Sequence, residues 1–309
     1  MSRPSITRRQ LLAAGGAAAI VALGLPAYSV FVETHWLEIV RRPMPLENLP
    51  HELQGKTLLH LSDLHVGPNV SSDYLMWALR QAQDLGPDFV ALTGDFVSQG
   101  SAREHRELSR VLAVMPRGRL GTVASLGNHD HGPGWLDLQT ADTVAAVATD
   151  AGATVMRNET RLVGGLQFAG LADYWSPEFA PFTGAPHGLF TPPAPPRDPF
   201  AARDDALAAI RDVARGLPTI ILSRNPDAQD EPIWDGVRGW VLAGHTHGGQ
   251  VKPPFLPPPI LPVKNPRYTA GRFDVGPGRT LYISRGVGHL TQVRFNVRPE
   301  MTLFTLQPA

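Results

Sequence analysis

The chain has 309 residues, 43% of them hydrophobic, a content that builds a globular core and excludes disorder of the whole. Lysine plus arginine equal aspartate plus glutamate at 28 each, so the basic excess that phosphate-backbone binding requires is missing and nucleic acid is not an expected partner. Cysteine is absent, which excludes disulfides, thiolate metal sites and a cysteine nucleophile together; a metal must sit on His, Asp, Glu or Asn.

At the N-terminus, Thr7-Arg8-Arg9-Gln10-Leu11-Leu12 sets paired arginines directly before 22 uncharged residues, Leu11 to Val32. This is the pattern of a twin-arginine export signal, so residues 1–35 are expected to be a signal peptide or an N-terminal membrane anchor. Pro26-Ala27-Tyr28-Ser29 offers only an indistinct cleavage site. Left uncut, the apolar run is long enough to span a bilayer, with Arg3, Arg8 and Arg9 holding the N-terminus on the cytoplasmic side. Either way the protein is expected to be exported, to the periplasm or the outer face of the cytoplasmic membrane, with the twin-arginine translocation machinery as a partner. The competing reading is an apolar helix packed on the domain.

From Thr57 onward, β-rich runs alternate with helical stretches, the rhythm of an α/β domain. Lys56 to Leu64 reads as a strand, and Ser72 to Leu85 as a helix opened by Ser71 or Ser72 and closed by Gly86-Pro87. Phe89 to Thr93 is a buried strand, Arg103 to Met115 a helix, Gly121 to Leu126 a strand, Leu136 to Asp150 a helix, and Ala153 to Gly170 a pair of strands. Further strands are expected at Thr219 to Ser223, Gly239 to Ala243, Thr280 to Ser284 and Met301 to Leu306. Pro181 to Phe200 and Pro253 to Pro262 are loops, since proline-rich chain continues neither a helix nor a central strand. The second carries Phe255, Leu256, Ile260 and Leu261, an apolar lip beside the richest histidine motif. No internal repeat appears, and a single domain over residues 45–309 is expected.

Four segments share one design, a buried strand ending in a polar loop that bears metal-capable side chains. They are Leu61-Ser62-Asp63-Leu64-His65, Thr93-Gly94-Asp95, Gly127-Asn128-His129-Asp130-His131 and Gly244-His245-Thr246-His247-Gly248-Gly249-Gln250. A spacing of two lets Asp63 and His65, and again His245 and His247, point to the same side of an extended chain. Each motif alone is weak, because an Asp or His at a strand end is usually a turn residue. Together, carboxylates mixed with imidazoles and an amide suit Mn, Fe or Zn better than an all-oxygen Ca or Mg site. Carboxyl ends of strands are also where open α/β sheets place their ligands.

The order Asp-x-His, Gly-Asp, Gly-Asn-His-Asp, Gly-His-x-His resembles the calcineurin-like metallophosphoesterase superfamily, and with Gly-Gly-Gln it looks like the bacterial branch of phosphodiesterases exported by the twin-arginine route. The resemblance runs from about Gly55 to the C-terminus. It implies a four-layer α/β/β/α sandwich of two mixed β-sheets flanked by helices. It implies a first divalent metal on Asp63, His65, Asp95 and His247, and a second on Asp95, Asn128 and His245. With Asp95 bridging, water acidified between the ions would attack phosphorus, hydrolysing a phosphodiester or phosphomonoester. His129 is then expected beside the substrate as general acid or electrostatic stabiliser, with Asp130 orienting its ring.

One position departs from the pattern. In Ile220-Ile221-Leu222-Ser223-Arg224-Asn225-Pro226-Asp227, Arg224 stands where the family carries a histidine ligand of the second metal. A guanidinium stays protonated and has no lone pair to give. Three readings follow: Arg224 turned aside with both metals retained, one metal with Arg224 clamping the phosphoryl oxygens, or a non-catalytic metal-binding envelope protein. The expected substrate is an envelope or lipid-linked phosphate. The alternative is a pyrophosphate of the UDP-2,3-diacylglucosamine type, used in lipid A synthesis, against which outward export counts because UDP-sugars are cytoplasmic.

Of the other histidines, His60 is expected in the core, His131 on the substrate side or surface, and His187 in solvent. His35, His51, His105 and His289 have no partner motif. Ser284-Arg285-Gly286-Val287-Gly288 resembles a glycine-bearing loop near the metals, with Arg285 a candidate phosphate contact.

Overall fold

The apolar runs of the sequence are strands covered on both faces. In the computed structural model, which describes residues 24–179, 209–234 and 236–309, two six-stranded mixed sheets lie face to face. The expectations for residues 1–23, for the proline-rich segment 181–200 and for His187 fall outside the described residues. The first sheet has the order β1 (Glu38–Leu46), β12 (Glu300–Pro308), β2 (Thr57–Leu61), β3 (Phe89–Thr93), β4 (Gly121–Ser125), β5 (Thr154–Val155). The second has the order β10 (Gly271–Gly276), β11 (Arg279–Ile283), β9 (Gly239–Ala243), β8 (Thr219–Leu222), β7 (Leu166–Gly170), β6 (Glu159–Val163).

The period-2 alternation of strands sorts each run between layers. Leu58, Phe89, Ala91 and Val123 of the first sheet meet Phe168, Ile220, Leu222, Trp240 and Leu242 of the second in the central core. Their neighbours Leu59, Leu61, Val90 and Leu92 face outward, into a core shared with Leu75, Leu79, Leu108, Val111 and Val144. Those come from three helices, α1 (Ser72–Asp84), α2 (Ala102–Leu112) and α3 (Leu138–Asp150). Ser71 caps α1 by accepting from the Tyr74 N–H, and Ser101 with Glu104 forms a reciprocal capping box on α2. On the far face of the second sheet, Ile221, Val241, Ala243 and Ile283 pack under Phe179, Ile210, Trp234 and Tyr268. This is the expected sandwich.

Three strand expectations change. Residues 153–170 hold three strands: β5 closes the first sheet, and β6 and β7 form a hairpin in the second, so the chain crosses between layers near Met156. β1 and β10 were not legible. β1 contains Pro43 and Pro45, which a central strand would reject, but it lies at the edge of its sheet, parallel to β12. β10 is also an edge strand and carries glycine at both ends.

Strands β2, β3 and β4 run parallel, as do β7, β8, β9 and β11. Their carboxyl ends meet across the layers, and the polar motifs gather there. Among the described residues no helix is long and apolar enough to cross a membrane.

Candidate metal centre

The loops that carry the motifs are bent into shapes that L-residues seldom adopt. Asp63, His65, Asp95, His245 and His247 have positive φ, between 49° and 72°. Strained backbone of this kind persists only where the surroundings over-determine it, and it clusters at functional sites. Here the determinants are visible. Asp63 N–H donates to the Gly94 carbonyl at 3.1 Å and His65 N–H to the Asp95 carbonyl at 2.9 Å, so the first two loops run side by side. A Cβ on Gly286 would lie 2.6 Å from that of Asp63, so the Ser284–Gly288 loop needs glycine to close over the site.

Asp63, His65 and His247 converge, each under 2% exposed. His247 Nε2 is 3.0 Å from Asp63 Oδ1, His65 Nε2 is 3.4 Å from Asp95 Oδ2, and the two Nε2 atoms are 3.1 Å apart. Such a separation fits either a shared proton or a common cation, and a set of two imidazoles with carboxylate oxygens suits a borderline divalent ion. Asp95 also accepts the His129 N–H on Oδ1 at 3.1 Å. Among the described residues, His65, Asp95 and His129 form the other group of three acid or imidazole donors that lie within 4.8 Å of one another. The donor set of the first expected metal is therefore assembled.

The second set is not. Asn128 is buried with neither amide atom partnered, as a ligand would be before its ion arrives. His245, however, has its Nε2 2.8 Å from the Pro262 carbonyl, which can only accept, so that nitrogen carries the proton. Between the two groups lies Arg224. It is 1% exposed, with Nη2 donating to Asp63 Oδ1 at 2.7 Å and to Asp95 Oδ2. The guanidinium is not turned aside, and these donors are engaged by carboxylates.

Electrostatics follow from this packing. Burial would raise the Asp63 carboxyl, but Arg224 and His247 hold it well below the usual carboxylate range. Asp95, likewise buried, is brought down to about 2, chiefly by Arg224. Burial and then Arg224 depress His245 to about 3, which keeps the ring neutral.

Other placements correct expectations. Asp130 does not orient the His129 ring. Its carboxylate accepts the N–H groups of Phe96, Val97 and Gly127, tying the second and third loops together, while burial and the nearby Asp95 push it up to about 7. His129 Nδ1 faces the Ser98 carbonyl at 2.7 Å, and its ring, edge-on to His65, is only partly buried. His131 is buried rather than on the surface, between the Gly127 carbonyl at 2.9 Å and Glu178 at 2.8 Å. Arg285 is engaged by Glu300 and by Glu38 at 3.0 Å, which removes it as a phosphate contact. His60, by contrast, is the core residue it was expected to be, hydrogen-bonded to Thr93 at 2.8 Å.

Two features escaped the sequence reading. Asp173 follows β7 with the same strand-then-carboxylate design as the four motifs, a signal that was there to be used. It is fully buried, with Oδ1 accepting the Trp175 N–H at 2.7 Å and Oδ2 unpartnered, and burial pushes its carboxyl up to about 7. Trp175 and Trp135 stack at 5.1 Å, and at either end they meet His245 and His129, forming an aromatic wall. Nothing in their spacing announces this.

Because Asp173 stays protonated in the fold up to about 7 but ionises from 3.8 when unfolded, the native state holds the extra proton between those values. Its stabilising contribution is complete below 3.8 and lost as the pH rises through about 7. The stability difference between metal-free wild type and Asp173→Asn, from urea unfolding, should therefore fall by a few kcal/mol across that window. A difference that stays flat with pH would contradict the assignment.

Residues 56–249 match the family of calcineurin-like phosphoesterases, and the chain belongs to that family. It is a metal-dependent phosphoric ester hydrolase. Along almost its whole length the chain is similar to the phosphodiesterase YaeI of Escherichia coli, at 29% identity over 97% of this chain and 99% of the other. It is similar to the metallophosphoesterase YkuE of Bacillus subtilis at 28% identity, covering 98% of both chains. It also resembles the UDP-2,3-diacylglucosamine pyrophosphatase LpxG of Chlamydia muridarum at 25% identity, covering 88% of this chain and 90% of that one.

Proposed function

We propose that this enzyme hydrolyses an amphiphilic phosphoester at the outer face of the cytoplasmic membrane, using a divalent ion held by Asp63, His65 and His247 with Asp95. When bound, such an ion acidifies water and screens charge on the phosphoryl oxygens. The protein's own part is to keep both carboxylates ionised, fix the imidazoles on strained loops and exclude bulk water from the cluster. His129, partly exposed at the rim with Nδ1 held by Ser98, is the side chain proposed to meet the substrate.

One observation carries the substrate class. The loop from Pro253 to Pro262 presents Phe255, Leu256 and Ile260 at 105%, 60% and 75% exposure, and its far end is fastened to the site by the Pro262 carbonyl on His245. Large apolar side chains held outward beside a reaction centre fit a substrate with acyl chains or a bilayer surface. A relative named for a diacylated substrate supports the same class. Changing Phe255, Leu256 and Ile260 together to serine should cut vesicle association at least tenfold, by about 0.8 kcal/mol for each CH2 withdrawn from lipid. Turnover on a short-chain aryl phosphodiester should be unchanged. Unaltered vesicle binding would sink the lipid assignment.

Export is supported by the Arg8-Arg9 pair before the apolar run. With both arginines changed to lysine, the protein should stay in the cytoplasm on fractionation. Continued appearance outside would contradict the twin-arginine route, and a wild type found in the cytoplasm would make the UDP-2,3-diacylglucosamine reaction the stronger reading.

A further inference from the structure

Arginine is among the residues least often found fully buried, and where it is buried its partners explain why. Arg224 lies two residues beyond the end of β8, and its side chain enters the cluster between Gly127 and Gly244. A Cβ on Gly127 would come within 2.9 Å of the Arg224 Nε, and one on Gly244 within 2.5 Å of Nη1. Neither glycine has a positive φ, so their value here is room rather than backbone freedom. At the end of this channel, Nη2 spans Asp63 and Asp95, and Nη1 lies 3.4 Å from Ser62 Oγ.

The side chain thus carries a permanent positive charge onto Asp95, the carboxylate that a second ion would share with the first, and onto Asp63 beside it. The remaining donors of that second set are disengaged, with His245 on the Pro262 carbonyl and the Asn128 amide without a partner. We infer that the Arg224 guanidinium stands in for a second metal ion, so that the centre takes up a single divalent ion rather than a pair. The inference rests on the proposal that Asp63, His65 and His247 bind metal. Repulsion between a guanidinium and a dication about 4 Å apart weakens the second site on the order of a thousandfold or more. Unlike an ion, this charge cannot be removed by a chelator, so it persists in the metal-free protein.

The test is metal stoichiometry. The purified full chain is equilibrated with manganese, freed of excess, and measured by elemental analysis and electron paramagnetic resonance. Wild type should retain one manganese per chain, with the hyperfine pattern of an isolated ion. Arg224→His should retain two, with the altered spectrum of an exchange-coupled pair. Arg224→Gln, which removes the charge and nearly preserves size, should bind the second ion more tightly than wild type and serves if the histidine variant fails to fold. Two ions in wild type would overturn the inference and leave the metal-binding proposal standing. A single ion in wild type and in both folded variants would also overturn it, since the guanidinium would not be what excludes the second. No ion in wild type would overturn the inference together with the proposal beneath it.

Discussion

Replacing Arg224 by methionine is expected to lower the unfolding free energy of the metal-free protein by roughly 3–5 kcal/mol, the usual penalty for removing one partner of a buried ion pair. The reason lies in what remains. Asp63 and Asp95 are both buried, and both owe their ionised state largely to the guanidinium. Without it, two carboxylates face each other in a dry site, and one must take up a proton or be exposed. Saturating manganese should shrink the difference, because a bound dication supplies the missing charge. Urea unfolding with and without metal measures both quantities. A loss below about 1 kcal/mol without metal would mean that water reaches the carboxylates and the pair is not dry.

Asp95→Asn is expected to reduce kcat/KM for an aryl phosphodiester by roughly a thousandfold, the equivalent of the several kcal/mol that an ion contributes to charge stabilisation. Asp95 is where the strands' separate contributions join. It accepts from Arg224 and from the His129 N–H, and it lies 3.4 Å from His65 Nε2. The amide keeps the shape and one acceptor but loses the charge, so folding should survive while metal affinity falls. Retention of more than a tenth of the activity, with the fold intact by circular dichroism, would remove Asp95 from the reaction centre.

Much of the sandwich was legible because its central strands are apolar runs bounded by glycine, proline and polar loops. Phe89–Thr93 and Gly239–Ala243 begin and end where the sequence says. The edges were not, because an edge strand tolerates what a central strand rejects, as Pro43 and Pro45 in β1 demonstrate. The site divided along a similar line. Strand-end Asp and His motifs identify candidate donors, since the carboxyl ends of parallel strands are brought together by topology. What such motifs do not encode is the direction of a long side chain. Arg224 could be read as an obstacle to metal binding, yet that its guanidinium would bridge Asp63 and Asp95 depends on clearance left by Gly127 and Gly244, two glycines far from it in the chain. Asp130 misled for a related reason: proximity in sequence to His129 suggested a partner, whereas its carboxylate reaches the backbone of another loop.

The cluster takes Asp63, Asp95 and Asn128 from the ends of one sheet and Arg224, His245 and His247 from the ends of the other. Between those sheets much of the contact is apolar and non-directional, so it gives little preference for one sliding offset of the layers over the next, beyond what cross-layer bonds such as Tyr282 to Glu300 at 2.7 Å and Trp240 to the Pro45 carbonyl at 2.8 Å supply. The ion pairs of Arg224 discriminate as well, since a shift of one strand residue, about 3.3 Å, would break them. The centre therefore acts as a locating pin for the sandwich. Layer alignment and completion of the reaction centre become one event, and a chain with its sheets out of step has no site with which to act.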